Sequence, residues 1–148
     1  MNKLVERFGS AGLQVFGVPC NQFGHQENGK GQEILDSLMY VRPGKGFKPV
    51  FPLLEACKVN GDKASDLFKW LRVNQPYCHD RTPELDMNEP YGFMSGAGLP
   101  DWSPRTPSDI MWNFEKFLVD KQGKPRYRFS PRFETKNLEP YIEALLKE

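Results

Sequence analysis

The sequence predicts one α/β domain, and three observations carry that reading. A short apolar run at 13–18 directly follows a helical segment, as a buried parallel strand does in βαβ-type folds. Two strand-like runs flank Lys121-Gln122-Gly123, which reads as a hairpin. An amphipathic helix closes the chain. The 148 residues fit a single domain spanning 1–148, and 39% hydrophobic residues suffice for a core. The 20 basic and 19 acidic side chains leave a net charge of +1, which argues against a dedicated nucleic-acid or membrane-surface binder. No apolar run approaches the roughly 18 to 20 residues of a membrane span.

The elements follow in chain order. Leu4, Val5 and Phe8 sit at helical spacing, with Gly9 as the expected stop and Asn2 as the available cap. The run LQVFGV at 13–18 reads as a strand that leads into PCNQFG at 19–24. Loops at the C-terminal ends of such strands are where α/β folds place their chemistry. A short helix is expected over 33–40, with Ile34, Leu35 and Leu38 as its apolar stripe, and Arg42-Pro43-Gly44-Lys45-Gly46 breaks regular structure after it. Asn60-Gly61 is a turn, and Ser65 caps a helix with Leu67, Phe68 and Leu71 on one side. Residues 74–106 are mostly Pro, Gly and polar side chains and read as a surface loop region.

A strand is expected over 109–120. Ile110, Trp112 and Phe114 share one parity and Phe117 and Val119 the other, so the strand must bend near Glu115 or Lys116. Residues 125–130 form its hairpin partner. Asn137 is the expected cap of the last helix, Pro140 falls in its first turn, and Leu138, Tyr141, Ile142, Leu145 and Leu146 form its buried stripe. The order of helix, strand, helix, hairpin and helix is that of the second half of a thioredoxin-like fold, without its first strand.

Cys20, Cys57 and Cys78 form no CxxC pair, which argues against a dithiol redox motif, a zinc knuckle or a disulfide-stapled secreted scaffold. A reducing compartment, the cytoplasm, is the expectation, with secretion left open. Cys78-His79-Asp80 resembles a metal or catalytic cluster, but adjacent residues rarely converge on one ion, and a solvated loop is the expected reading.

Two segments carry the functional signal: CNQFGHQE at 20–27 and WNFEKFLV at 112–119. Together they resemble the glutathione peroxidase family. Tyr40-Val41-Arg42-Pro43-Gly44, Val59-Asn60-Gly61, Arg132-Phe133 and Leu138-Glu139-Pro140 extend the resemblance over nearly the whole chain, most weakly at 74–99. The resemblance implies a thioredoxin-like fold and a peroxidase that reduces hydrogen peroxide and organic hydroperoxides to water or alcohols, in response to oxidative stress. A selenolate or thiolate attacks the O–O bond, and thiols reduce the enzyme afterwards by exchange.

In the family, a Gln amide, a Trp indole N–H and an Asn amide surround the anion, and the matching residues are Gln22, Trp112 and Asn113. An indole N–H only donates and an amide NH₂ gives two donors, so these groups hold an anion without competing as nucleophiles. Neighbours in a flat strand point to opposite faces, so Trp112 and Asn113 must lie at an irregular strand start, or one acts through its backbone.

The family's peroxidatic selenocysteine or cysteine sits at the start of the helix before the CNQFG strand, where the dipole favours an anion. That position falls ahead of residue 1. The expectation is a truncated domain, lacking the first strand and the start of the first helix, whose coding sequence restarts at Met1 after a selenocysteine codon read as stop. Alternatives are a redox-inactive structural or interaction protein of the same fold, and a thiol peroxidase that uses Cys20. The resemblance implies no metal or other cofactor.

Glutathione is the expected co-substrate, because 33–38 has no cysteine at the position of the resolving thiol of thioredoxin-dependent members. Arg42 and Arg132 match basic positions associated with glutathione binding, with Lys30 a further candidate; an arginine fork suits the tripeptide's carboxylates. Pro131 stands where related proteins often have a second Arg. The insertion at 42–51 resembles the tetrameric members, so a homotetramer is expected of the full-length protein.

Overall fold

The computed structural model describes residues 1–81 and 102–148. Helix α1 (Asn2–Phe8) buries Leu4 and Phe8. A 3₁₀ turn, Gly9–Ala11, prolongs it, and the stop comes at Gly12 with φ +111°, whereas Gly9 is helical at φ −59°. The left-handed conformation that ends a helix is open to glycine at no steric cost. Asn2 does not cap α1. Its Nδ2 donates to Lys48 O at 2.8 Å and its Oδ1 accepts from Val50 N–H at 3.2 Å, so it fastens the segment at 48–50 onto α1.

Residues 13–18 run parallel to the segment around Leu53, as expected, but the pairing is a single bridge, Gly17 to Leu53. Gly17 N–H donates to Pro52 O and Leu54 N–H to Gly17 O. Phe16 on this segment is 57% exposed. A parallel strand is stabilised by neighbours on both sides, and the described residues supply one.

Helix α2 (Gln32–Asp36) passes into a π-type turn, Ser37–Val41, which together cover the helix expected over 33–40. Helix α3 (Asp66–Asn74) follows Ser65, whose side chain makes no cap bond; its Oγ accepts from the Cys57 thiol instead. Phe68 and Leu71 face inward as expected, but Leu67 is exposed and Arg72 takes a buried place.

The expected strand over 109–120 is shorter. Strand β1 is Lys116–Val119, and β2 is Pro125–Phe129. They pair antiparallel with Lys116 opposite Phe129 and Leu118 opposite Tyr127. The irregularity in pairing falls between Leu118 and Val119, and the Glu115 region is a turn instead of a bulge. Asp120 closes the hairpin, its Oδ1 accepting from the N–H groups of Gln122 and Lys124. A 3₁₀ turn, Thr135–Leu138, precedes helix α4 (Glu139–Lys147), so Leu138 and not Asn137 takes the cap position. Ile142 and Leu145 are buried as expected.

The hairpin is a wall between two apolar clusters, because alternate strand residues point to opposite faces. On one side Phe117 joins Phe23, Val59, Phe68, Leu71, Trp102 and Ile110. On the other, Leu118 and Phe129 meet Leu4, Phe8, Leu138 and Ile142 from α1, the last 3₁₀ turn and α4.

The expected loop region at 74–106 is seen only in part, since 82–101 lie outside the described residues. The segment Cys78-His79-Asp80 is a turn with His79 and Asp80 exposed, in keeping with the loop reading, but specific partners tie it down. Cys78 is buried, the His79 ring meets Tyr127, Phe129 and Tyr141 edge-on, and Asp80 accepts from both the N–H and the hydroxyl of Ser130. A chain composition that suggests solvent says nothing of these partners, which lie 50 positions away.

Candidate active site

The loop at 20–28 is closed by its own side chains. Asn21 Oδ1 accepts from Glu27 N–H, Asn21 Nδ2 donates to Asn28 Oδ1, and Asn28 Nδ2 donates to His25 O. Polar side chains that bond to nearby backbone in this way favour turns over strands or helices. These bonds hold the loop's shape from within.

Gln22 is 6% exposed and points inward from this loop. Its Oε1 accepts from Val59 N–H at 2.7 Å and Asn60 N–H at 3.0 Å, and its Nε2 donates to Asn60 O at 3.2 Å. Two backbone donors facing one end of the amide decide its orientation, because a flipped amide would set NH₂ against N–H. One donor of Nε2 is thus engaged with Asn60.

Trp112 and Asn113 lie in a turn ahead of β1, which resolves the parity problem posed by a flat strand. Phe114 at φ +68° completes the turn, and Glu115 Oε1 closes it by accepting from Met111 N–H at 2.7 Å. Both side chains reach the 20–28 loop. The Trp112 ring lies 5.8 Å from that of Phe23, and Asn113 Nδ2 donates to Gln26 Oε1 at 3.1 Å across 87 positions. Gln22, Trp112 and Asn113 are thus brought onto adjoining parts of one region, with Gln22 deepest.

A cleft of about 290 Å³ opens beside Gln22, lined by Asn21, Gln22, His25, Ala56, Cys57 and Lys58. The Cys20 sulfur accepts from Gln22 N–H at 3.5 Å. Cys57 is half-buried against Ser65.

Lys30, Arg42 and Arg132 all stand on the surface. Lys30 precedes α2, its N–H donating to Glu33 Oε2. Arg42 ends the π-type turn. Arg132 lies in the loop after β2, which Lys116 clamps from below: its Nζ donates to Ser130 O and Phe133 O, both at 2.7 Å. Burial pushes the Lys116 ammonium below its ordinary value, partly offset by the charges of Asp80, Glu115 and Cys78.

Sequence reasoning missed the residues that hold the two halves of the site. Arg128, 1% exposed, pairs with Glu115 at 2.7 Å and donates to the carbonyls of Pro76, Ser108 and Asp109. Asp109 accepts from Arg72, the Trp102 indole and Thr106. Asn60 joins the Gln22 loop to Ile110. Its place in Val59-Asn60-Gly61 was the available signal; Arg128 had none beyond a charge on a strand.

Comparison with known proteins places the chain in a family. A family model described as glutathione peroxidase matches residues 1–72. Glutathione peroxidase 1 of Rattus norvegicus is 53% identical over 148 residues, covering 100% of this chain and 70% of that protein. Glutathione peroxidase 1 of Mus musculus matches with the same identity and coverage. Among solved structures, the crystal structure of Trgpx in apo form superposes with a TM-score of 0.60 at 25% identity, covering 99% of this chain and 68% of that one. The α/β architecture is accordingly the thioredoxin-like one expected from the element order, and the chain belongs to the glutathione peroxidase family.

Proposed function

We propose that this chain is the body of a glutathione peroxidase, reducing hydrogen peroxide and organic hydroperoxides to water and alcohols at the expense of glutathione. The observation that carries the reading is the meeting of the two family segments, with Trp112 and Asn113 both reaching the loop that holds Gln22. In the reaction a chalcogen anion attacks one peroxide oxygen, the O–O bond breaks, and the leaving oxygen departs as alcohol or water with a proton. Two glutathione molecules then supply two electrons, releasing water and glutathione disulfide.

Gln22, Trp112 and Asn113 are proposed as the donors to that anion and to the leaving oxygen. The fixed orientation of the Gln22 amide supports this, since it leaves a defined second N–H on Nε2. The family resemblance implies a chalcogen other than Cys20, Cys57 or Cys78, and this is supported by Cys57 lying against Ser65 and Cys78 being buried. Arg42, Arg132 and Lys30 are proposed to receive the carboxylates of glutathione. The exposed Tyr40, Val41, Phe47 and Val50 support a homotetramer joined through this segment. Among the described residues no helix is long and apolar enough to cross a membrane. A reducing, cytoplasmic setting is proposed from three cysteines without a CxxC spacing.

The test is a peroxide assay coupled to glutathione reductase, run on the 148-residue chain and on the chain preceded by a segment that carries the chalcogen. Activity only in the second, lowered by Gln22→Ala and Trp112→Phe, is the expected result. A second reading, Cys20 as a thiol nucleophile, is favoured by the N–H that Gln22 directs at its sulfur. Activity of the shorter chain that Cys20→Ser abolishes would establish it instead.

A further inference from the structure

Asn60 is 1% exposed and bonds in two directions. Its backbone N–H and C=O hold the Gln22 amide at 3.0 and 3.2 Å. Its side chain pairs with both backbone groups of Ile110, Nδ2 donating to Ile110 O at 2.8 Å and Oδ1 accepting from Ile110 N–H at 2.9 Å. Arg72, itself paired with Asp109, lies 3.4 Å from the same Oδ1. Ile110 stands two residues before Trp112.

An ordinary buried Asn satisfies its amide wherever partners occur. This one forms a two-point clamp on one residue of the Trp112 turn while its own backbone orients Gln22. The loop at 20–28 and the turn at 111–115 belong to separate parts of the chain, and among the described residues no strand pairing joins them. To the surface bond of Asn113 to Gln26 and the packing of Phe23 with Trp112 and Ile110, Asn60 adds a buried polar link between the two.

We propose that Asn60 is a positioning residue that keeps Gln22 in register with Trp112 and Asn113 during peroxide reduction, acting through the Gln22 amide and the Ile110 backbone and not on substrate. This rests on the peroxidase reading of those three residues, so the test has one arm that does not. In the ¹⁵N-labelled 148-residue chain, the Trp112 indole N–H signal is assigned by its loss in Trp112→Phe. Gln22→Ala shifts that signal in the parent chain. In Asn60→Ala the same substitution leaves it unmoved, and Asn60→Asp, which keeps the acceptor for Ile110 N–H and loses the donor to Ile110 O, retains part of the response. An equal response in parent and both Asn60 variants overturns the proposal. Where Asn60→Ala does not fold, Asn60→Asp decides the same comparison.

The second arm uses the chain joined to its chalcogen segment and separates the two half-reactions. A misplacement of about 1 Å costs on the order of a hundredfold in rate, so oxidation by peroxide slows by about that factor in Asn60→Ala. Reduction by glutathione keeps its rate. The double variant with Gln22→Ala loses no more than the worse single variant, because the two act as one unit. Equal losses in both half-reactions, or multiplying losses in the double variant, overturn the positioning role. A Gln22→Ala enzyme with an unchanged peroxide step overturns the donor role of Gln22 instead, and the indole response alone then decides whether Asn60 links Gln22 to the Trp112 turn.

Discussion

Removing the Arg128 guanidinium strikes at a fully buried ion pair. Arg128 and Glu115 each have 2% exposed side chains and meet at 2.7 Å. Arg128 also donates to Pro76 O, Ser108 O and Asp109 O, each at 2.9 Å. In Arg128→Ala the buried Glu115 carboxylate loses the guanidinium it pairs with, and four carbonyls, Gln75 O at 3.3 Å included, lose a donor. Breaking a buried pair in this way costs about 3–5 kcal/mol. For 148 residues the unfolding entropy is about 0.3 kcal/mol/K, so the midpoint should fall by about 10–16 °C.

Glu115→Gln keeps an oxygen for Met111 N–H and leaves Arg128 its carbonyls, so its cost is smaller, about 1.5–3 kcal/mol. Melting followed by circular dichroism tests this on the parent, Arg128→Met alone, Glu115→Gln alone and the two combined, beside Arg128→Ala. The double should lose less than the two single losses added, because neither charge is then left buried alone. A midpoint change below about 3 °C for Arg128→Ala, or strict additivity in the double, would refute the argument that burial makes this pair matter.

Other consequences are open to the same measurement. Burial depresses the Lys116 ammonium below its ordinary 10.5, so the folded chain gives up that proton first. Between the folded value and 10.5 the unfolded chain holds more protons, and stability gains with rising pH across that window. The parent should therefore gain on Lys116→Met as pH rises toward 10.5; a constant difference would contradict it. Gly61→Ala should destabilise by about 2–4 kcal/mol, since its φ is +79° and a Cβ would sit 2.9 Å from Trp102 Cβ and 3.0 Å from Ser103 O. An unchanged urea midpoint would exclude that crowding. Phe129 is fully buried between Phe133 and Tyr141, and Phe129→Ala should cost about 3–5 kcal/mol. A loss under about 1 kcal/mol would mean that the cluster collapses to refill the space.

Patterns confined to a few turns of chain were legible from sequence. Helix α4 and the hairpin announce themselves because their buried stripe, alternation and turn residues repeat at the period of the element. The two family segments were legible for a different reason: they resemble the motifs of a known family, and a resemblance reveals membership without revealing geometry. Boundaries were harder. Gly9 and Gly12 are both plausible helix stops, and only packing of the following segment picks Gly12. Asn2 and Asn137 carry the side chain of a cap, but Asn2 finds the backbone at 48–50 and a 3₁₀ turn displaces the start of α4 past Asn137.

The sequence by itself thus determined the α/β class, the order of elements, the family and the three candidate donors. The class and the order follow from local periodicity, and the family and the candidate donors from the resemblance of CNQFGHQE and WNFEKFLV to the glutathione peroxidases. Only the tertiary structure decided that Trp112 and Asn113 sit in a turn, that the Gln22 amide is fixed by Val59 and Asn60, and that Asn60 and Arg128 tie the site together. The link from Asn60 to Ile110 alone spans 50 positions. A buried polar group must find a partner wherever the fold brings one, and no local pattern records which distant backbone that will be.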